Sequence, residues 1–272
     1  MLRNINDLEG FAIGATDGVI GHVKDLYFDD ESWTVRYFVV DTGSWLSSRK
    51  VLISPFAFGK PSASEKVLPV SLTREKVKNS PDIDTEKPIS RQHEIDYLGY
   101  YGYPMYWGGA GYWGAGVYPG AMLSGYGVAP RSTSGPIDAT TVADDMRPGV
   151  HQDSHLRSCE TVSRYYVHAS DGDIGHVQGM LVDDETWVIR YLVVNTSNWW
   201  LGHKVLVAPQ WIEIVSWLEA TVSVDLTRQA IKDSPPYVHT TPLHRQQEAG
   251  LFEHYGRRSY WADDLILDRG AA

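Results

Sequence analysis

Cysteine is nearly absent from this 272-residue chain, and its scarcity excludes several kinds of protein. Cys159 is the single cysteine, so one chain cannot form an internal disulfide or a cysteine-based metal cluster. No run of about 18 apolar residues occurs, so the sequence predicts no membrane-spanning helix. The N-terminal stretch lacks the basic start and apolar segment of a secretory signal, and we therefore expect a cytoplasmic protein.

Positive charge is in deficit, with 24 basic against 34 acidic side chains and a formal net charge of −10. This balance disfavours binding to nucleic acid phosphates or to an anionic membrane surface. The hydrophobic content of 43% beside a charged content of 21% is typical of globular proteins, so we expect the chain to fold.

Patterns typical of catalytic and phosphate-binding sites are missing as well. We find no G-x-S-x-G, G-x-x-x-x-G-K-[ST], G-x-G-x-x-G or H-E-x-x-H pattern in a usable context. The sequence therefore predicts no catalytic residue, no cofactor-binding residue and no metal ligand, and we interpret the protein as a non-enzyme.

An internal repeat organises the chain. The segment DGVIGHVKDLYFDDESWTVRYFVV from Asp17 aligns with DGDIGHVQGMLVDDETWVIRYLVV from Asp171, 154 residues later. The same offset continues without a gap to Trp107 and Trp261. A repeat of about 95 residues has the size of one small domain.

Five predicted segments follow from this repeat. They are a barrel over 1–82, a helix and aromatic arm over 83–107, a bridge rich in Gly, Tyr and Trp over 108–157, a second barrel over 158–236, and a helix and tail over 237–272. Because the bridge interleaves aromatic residues with glycine, we expect it to lie partly on the domains.

The sequence of each copy predicts a set of short strands followed by two helices. In the first copy the pattern predicts strands over 12–16, 20–29, 33–41, 49–54 and 66–72, a helix that begins at Thr73, and a second helix over 90–101. We expect an all-β fold with short helices, in which two small antiparallel barrels close on themselves, since closure removes exposed sheet edges.

The ordered motifs resemble the PRC-barrel domain. They are Asp17-Gly18-x-Ile20-Gly21-His22-Val23, then Trp33-x-Val35-Arg36-Tyr37-x-Val39-Val40, then Lys50 to Pro55, and they recur from Asp171 to Pro209. The resemblance covers residues 5–80 and 159–234. It implies a six-stranded barrel used for contacts with proteins, without catalytic residues to carry over.

Several functions stay open under this resemblance. The first is a non-catalytic adaptor or scaffold for protein contacts, with its two barrels related by a pseudo-twofold axis and with self-association as one option. The PRC barrel also occurs in a ribosome maturation factor and in the H subunit of the photosynthetic reaction centre. An RNA- or ribosome-associated role, a photosynthetic role in a phototrophic source, and a small ligand or reaction in an inter-barrel groove are therefore the alternatives.

Large aromatic side chains outside the strand pattern are the candidate interface residues, because they bury much area at low cost in rotamer entropy. They are Trp45, Trp199, Trp200, Tyr100, Tyr101, Tyr103, Tyr106, Trp107, Tyr112, Trp113, Tyr255, Tyr260 and Trp261. For Trp45 and Trp199 a place in the core is an equal alternative.

Polar residues that repeat between the copies have structural explanations. We interpret His22 and His176 as strand residues, and the acidic runs at 29–31 and 183–185 as turns. A charged residue in the middle of a strand is unusual, so we expect Arg36 and Arg190 each to pair with a carboxylate of the acidic turn in its own copy.

Overall fold

A computed structural model describes residues 1–59, 66–83, 89–107, 155–196 and 203–262. The chain forms two compact units. The first-copy unit contains Ile5–Cys159 and Asp183–Val188, and the second-copy unit contains Met1–Asn4, Glu160–Val182 and the chain from Ile189 onward. The predicted bridge over 108–157 lies outside the described residues except for its last three positions.

The described residues are mostly β-structure with short helices, as the sequence predicts. The strands are β1 (Leu2–Asn4), β2 (Ala12–Ala15), β3 (Gly18–Asp29), β4 (Thr34–Asp41), β5 (Lys50–Ile53), β6 (Val67–Pro69), β7 (Leu156–Ser158), β8 (Tyr166–Ala169), β9 (Gly172–Asp183), β10 (Ile189–Asn195), β11 (Lys204–Val207), β12 (Ile212–Ser216) and β13 (Thr221–Val224). The helices are α1 (Ile5–Leu8), α2 (Arg74–Lys78), α3 (Arg91–Tyr101), α4 (Cys159–Val162), α5 (Arg228–Lys232) and α6 (Arg245–His254), with 3-10 turns at Gly43–Leu46, Pro55–Ala57 and Pro209–Trp211.

The two sheets share the order of five strands, and the second-copy sheet adds β12 at its end. The first-copy sheet runs β5-β4-β3-β2-β6, and the second-copy sheet runs β11-β10-β9-β8-β13-β12. The expected closed antiparallel barrel is not what the described residues show, because both paths are open and β2–β6 and β8–β13 pair in parallel. Strands joined by a hairpin run antiparallel. The chain passes through other strands between β2 and β6 and between β8 and β13, and such longer connections permit these two pairs to run parallel.

The core of the first-copy unit surrounds β4. Seven of its eight residues, from Thr34 to Val40, are buried, so both faces of this strand are covered. A strand covered on both faces carries apolar residues at successive positions, which is why Phe38, Val39 and Val40 lack the usual alternation. The same coverage buries Arg36 in mid-strand.

Asp17 and Thr73 together cap helix α2. The Thr73 hydroxyl accepts from the Lys76 amide at 3.2 Å, and Asp17 Oδ1 accepts from the Arg74 amide at 2.8 Å. In the second copy, Asp171 Oδ1 accepts from the Arg228 amide at 2.7 Å. The repeated Asp-Gly pair therefore does more than turn the chain, because its carboxylate satisfies an amide at the start of a helix.

Replacing this cap has a measurable expected cost. We expect Asp17→Ala to lower the free energy of unfolding of the first-copy unit by about 1 kcal/mol, since one helix amide loses its acceptor. Asp17→Asn keeps an acceptor oxygen and is expected to retain most of the stability. Urea unfolding followed by far-UV circular dichroism distinguishes the two variants, and equal losses would show that the carboxylate charge matters more than the cap.

Two equivalent strands are exchanged between the units. Strand β1 (Leu-Arg-Asn) and strand β7 (Leu-Arg-Ser) occupy the same position of the repeat, 154 residues apart. Strand β1 pairs with β9 in the second-copy unit, while β7 pairs with β3 in the first-copy unit. Each sheet is therefore completed by the strand that belongs, in repeat position, to the other copy.

Candidate functional site

A buried carboxylate joins helix α3 to the sheet of the first-copy unit. Glu94 is 1% exposed, and its Oε1 accepts from the Tyr37 hydroxyl at 3.1 Å and also from the Tyr106 hydroxyl. Arg91 Nη1 donates to Glu94 Oε2 at 2.9 Å. The carboxylate thus ties strand β4, helix α3 and the segment after the helix together, and we call this group the first latch.

Arginine side chains cover the aromatic rings of the latch. The Arg36 guanidinium lies 4.1 Å from the centre of the Tyr106 ring, and that of Arg91 lies 4.2 Å from the Trp107 ring. Arg36 Nη2 also lies 3.5 Å from Asp29 Oδ2, which confirms the expected pairing for Arg36. The same expectation is wrong for Arg190, which forms no ion pair with the acidic turn among the described residues and packs on the Tyr260 ring instead. Cations stacked on aromatic faces in a buried setting hold the aromatic segment against the sheet.

The second-copy unit repeats the arrangement as a second latch. The hydroxyls of Tyr191 and Tyr260 donate to Glu248 Oε1 at 2.9 and 2.8 Å. Arg245 Nη1 lies 3.1 Å from Glu248 Oε2, and the Arg190 guanidinium lies 4.2 Å from the Tyr260 ring. Because both copies make the same polar contacts at positions 154 residues apart, we interpret the two latches as part of the fold.

Burial sets the protonation chemistry of the first latch. Removal from water raises the pKa of Glu94 to about 7, against the opposing effects of the Arg91 charge and of the hydroxyls of Tyr106 and Tyr37. Burial likewise raises the pKa of Tyr37 and that of Tyr106 well above the ordinary value. Both phenols therefore remain donors at neutral pH, and Glu94 is the group of the latch that changes charge near pH 7.

The described aromatic arm packs within its own unit. Tyr101 and Tyr106 are buried, and Tyr103 stacks on Tyr101 with ring centres 5.5 Å apart. Tyr100 is exposed, and its hydroxyl donates to the Lys76 carbonyl at 2.8 Å. The half-buried members of the candidate set are Tyr103, Trp107, Tyr255, Tyr260 and Trp261, while Tyr112, Trp113, Trp199 and Trp200 lie outside the described residues.

Trp45 combines core and surface character. It is half-buried, its indole N–H donates to the Ile20 carbonyl, and the Arg74 guanidinium lies 4.3 Å from its ring. The loop that carries it is therefore attached to the sheet, and the remaining part of the ring is accessible.

The repeated histidines lie at the surface of their strands. His22 is exposed and His176 is half-buried. Within the described ranges, no three His, Cys, Asp or Glu side chains converge in a way that could hold a metal ion. In the acidic turn, Asp29 Oδ1 accepts from the amides of Glu31 and Ser32, both at 3.0 Å, so this carboxylate closes the turn.

The edge of strand β3 binds strand β7 through side chains as well as backbone. Arg157 Nε donates to Asp30 Oδ2 at 2.8 Å, and the Ser158 hydroxyl donates to Asp25 Oδ2 at 2.6 Å. His155 Nδ1 lies 3.0 Å from Asp30 Oδ1. Sequence reasoning missed this site, since the Leu-Arg-polar signal is only three residues long and Leu156 and Arg157 were placed in the bridge over 108–157.

Three exposed apolar side chains lie on or between strands β8, β12 and β13 of the second-copy sheet. Tyr166 pairs with Thr221 across β8 and β13, and Ile214 pairs with Ser223 across β12 and β13. Tyr166 is 59% exposed, Ile214 is 65% exposed, and Leu218 in the turn between β12 and β13 is 97% exposed. We call these three side chains the outer apolar face.

A cavity of about 290 Å³ lies beside helix α6 in the same unit. Its lining is apolar, with Pro236, Tyr237, Leu243 and Leu251 as the larger contributors. No charged side chain occurs among the described residues that line it. A ligand held there would be recognised mainly by shape and apolar contact.

Comparison with known proteins identifies one domain family and one relative that match part of the chain. The model of the PRC-barrel domain family matches residues 2–67. An uncharacterized protein of Deinococcus radiodurans is 32% identical over 95 residues, which amount to 33% of this chain and 34% of that protein. The match thus spans about a third of the length of this relative.

None of the described helices is both long and apolar enough to cross a membrane.

Proposed function

We propose that the chain is a non-catalytic tandem scaffold whose two units make contacts with other proteins, because the model of the PRC-barrel domain family matches residues 2–67. The second unit is proposed to be a PRC barrel too. Its support is the repeat at a constant offset, the shared strand order and the second latch. We further propose a cytoplasmic site of action, in keeping with the single, buried thiol of Cys159.

The outer apolar face is the observation that carries this proposal. Tyr166, Ile214 and Leu218 together present an aromatic ring and two branched aliphatic side chains to solvent. Strand β12 also ends the described sheet path, and we propose that a partner strand pairs with its outer edge. Apolar side chains exposed near an open sheet edge can serve as anchors for a partner strand that pairs with this edge.

Charge substitution on the outer apolar face tests the proposal. We expect the double variant Ile214→Lys, Leu218→Glu to reduce affinity for a purified partner by at least about 10-fold, because buried apolar anchors dominate such interfaces. Val19→Lys is the matched control, since Val19 is an aliphatic strand residue of similar exposure, 51%, in the first-copy unit. Partners are first identified by affinity purification with the wild-type chain and then measured by calorimetry.

The outcomes separate the proposal from its alternatives. Loss of binding in the double variant, with binding retained in Val19→Lys, supports a protein scaffold that uses this face. Equal binding by all three proteins would remove the outer apolar face from the proposal. If the wild-type chain enriches no specific protein, the scaffold proposal itself is wrong.

A further inference from the structure

The strand-docking edge of the first-copy unit recognises a short, defined sequence. Along β3, Tyr27 faces Ser158, Phe28 faces Arg157, and Asp29 faces Leu156 in antiparallel register. The Asp30 amide extends this ladder by donating to the His155 carbonyl at 2.9 Å. Backbone pairing of this kind provides affinity, while the side chains provide specificity.

The side chains of the docked strand each have a chemical requirement. Leu156 is buried and needs an apolar contact. Arg157 pairs with Asp30, whose side chain is only 8% exposed, and Ser158 donates to Asp25. The edge therefore selects a leucine, then an arginine, then a small hydrogen-bond donor.

The occupant of this edge is not the neighbouring segment of the repeat. Strand β1 has the repeat position that would place it beside β3, yet β1 pairs with β9 and the edge of β3 holds β7. Since Leu-Arg-Asn and Leu-Arg-Ser are nearly the same strand, pairing depends on which strand reaches the edge. Exchange of identical elements between chains is a low-cost route to association.

We propose that the edge of β3 is a self-recognition site, at which Leu156–Ser158 of a second copy of the chain can replace the chain's own strand. The contacts between two chains would be the same as those within one chain. The difference in free energy between the exchanged and the unexchanged arrangement therefore depends on the protein concentration and on the segment that connects the strands within one chain. This surface is separate from the outer apolar face, and the proposal does not depend on the scaffold proposal.

Reversal of one ion pair across two chains provides the test. Asp30→Arg places a cation opposite Arg157, and Arg157→Asp places an anion opposite Asp30, so each single variant is mismatched with its own strand. In a mixture, both edges find a matched strand on the other chain. We expect the equimolar mixture to form a heterodimer at least about 10-fold tighter than either variant with itself, measured by sedimentation velocity. The double variant Asp30→Arg, Arg157→Asp is the control and is expected to behave as the wild-type chain does.

A mixture that remains monomeric while the double variant regains wild-type stability would overturn the proposal, since the pair would then operate only within one chain. If Asp30→Arg does not fold, a second measurement decides. A fluorescent peptide of residues 155–161 is expected to bind the full-length Arg157→Asp chain at least about 10-fold more tightly than the wild-type chain. Arg164→Glu is the matched control, because Arg164 lies near the same segment and pairs with Glu160 at the surface. Equal, weak binding by all three chains contradicts the proposal.

Discussion

Gly21→Ala is expected to lower the free energy of unfolding of the first-copy unit by about 3 kcal/mol or more. A Cβ atom at Gly21 would lie 2.0 Å from the Asp41 carbonyl oxygen and 2.9 Å from Thr42 Cα. Both obstacles are backbone, so relief requires strands β3 and β4 to separate. The equivalent Gly175 meets the Asn195 carbonyl oxygen at 2.0 Å, and its φ of 149° disfavours other residues in addition.

Thermal and urea unfolding followed by circular dichroism measure this loss. For a domain of about 100 residues, a change of about 3 kcal/mol corresponds to a fall of roughly 12–24 °C in Tm. Gly99→Ala is the matched control, because a Cβ there meets no atom within 4 Å and alanine favours helix α3 by about 0.5–1 kcal/mol. If Gly21→Ala unfolds at the wild-type temperature, the close approach of the two strands is not needed for stability.

Raising the pH from about 5 to about 8 is expected to lower the free energy of unfolding through Glu94. Its pKa is about 7 in the folded unit, against 4.5 ordinarily, because burial disfavours the carboxylate. The folded unit therefore holds the proton more tightly than the unfolded chain does. This stabilisation is fully present below about pH 4.5 and is lost as the pH rises through about 7, and it amounts to about 3 kcal/mol.

Glu94→Gln isolates this contribution, because the amide keeps the shape of the side chain and does not titrate. Urea unfolding is measured at several pH values for both proteins, and the difference between their slopes against pH reports Glu94 alone. We expect the wild-type chain to lose stability relative to Glu94→Gln between about pH 5 and pH 8. Parallel curves for the two proteins would mean that Glu94 has the same proton affinity in the folded and unfolded states.

Much of the local structure could be predicted from the sequence, because strand periodicity and helix caps depend on neighbouring residues. Helix α2 follows Thr73 as its N-cap, and the predicted helix over 90–101 is observed at Arg91–Tyr101. The predicted strand over 33–41 is observed at Thr34–Asp41. The pairing of Arg36 with its own acidic turn could also be predicted, since Arg36 and Asp29 lie on neighbouring strands joined by a short turn.

Other features depend on contacts between residues far apart in the chain. The role of Gly21 comes from the passage of the Asp41 carbonyl, and the burial of Glu94 comes from Tyr37 and Tyr106 on different elements. The interface role of the exposed aromatic residues, and any arrangement of the copies about a twofold axis, stay predictions.

By itself, the sequence determined that the chain contains two similar β-rich copies, because a repeat at constant offset carries its own strand pattern twice. Only the tertiary structure decided which copy receives each N-terminal strand and which strands run in parallel. The physical reason is that β1 and β7 have almost the same residues and hence the same local preferences. Local preferences therefore cannot assign the strands to the two sheet edges, and only the long-range backbone pairing in the structure shows which edge holds β7, with its contacts to Asp30 and Asp25.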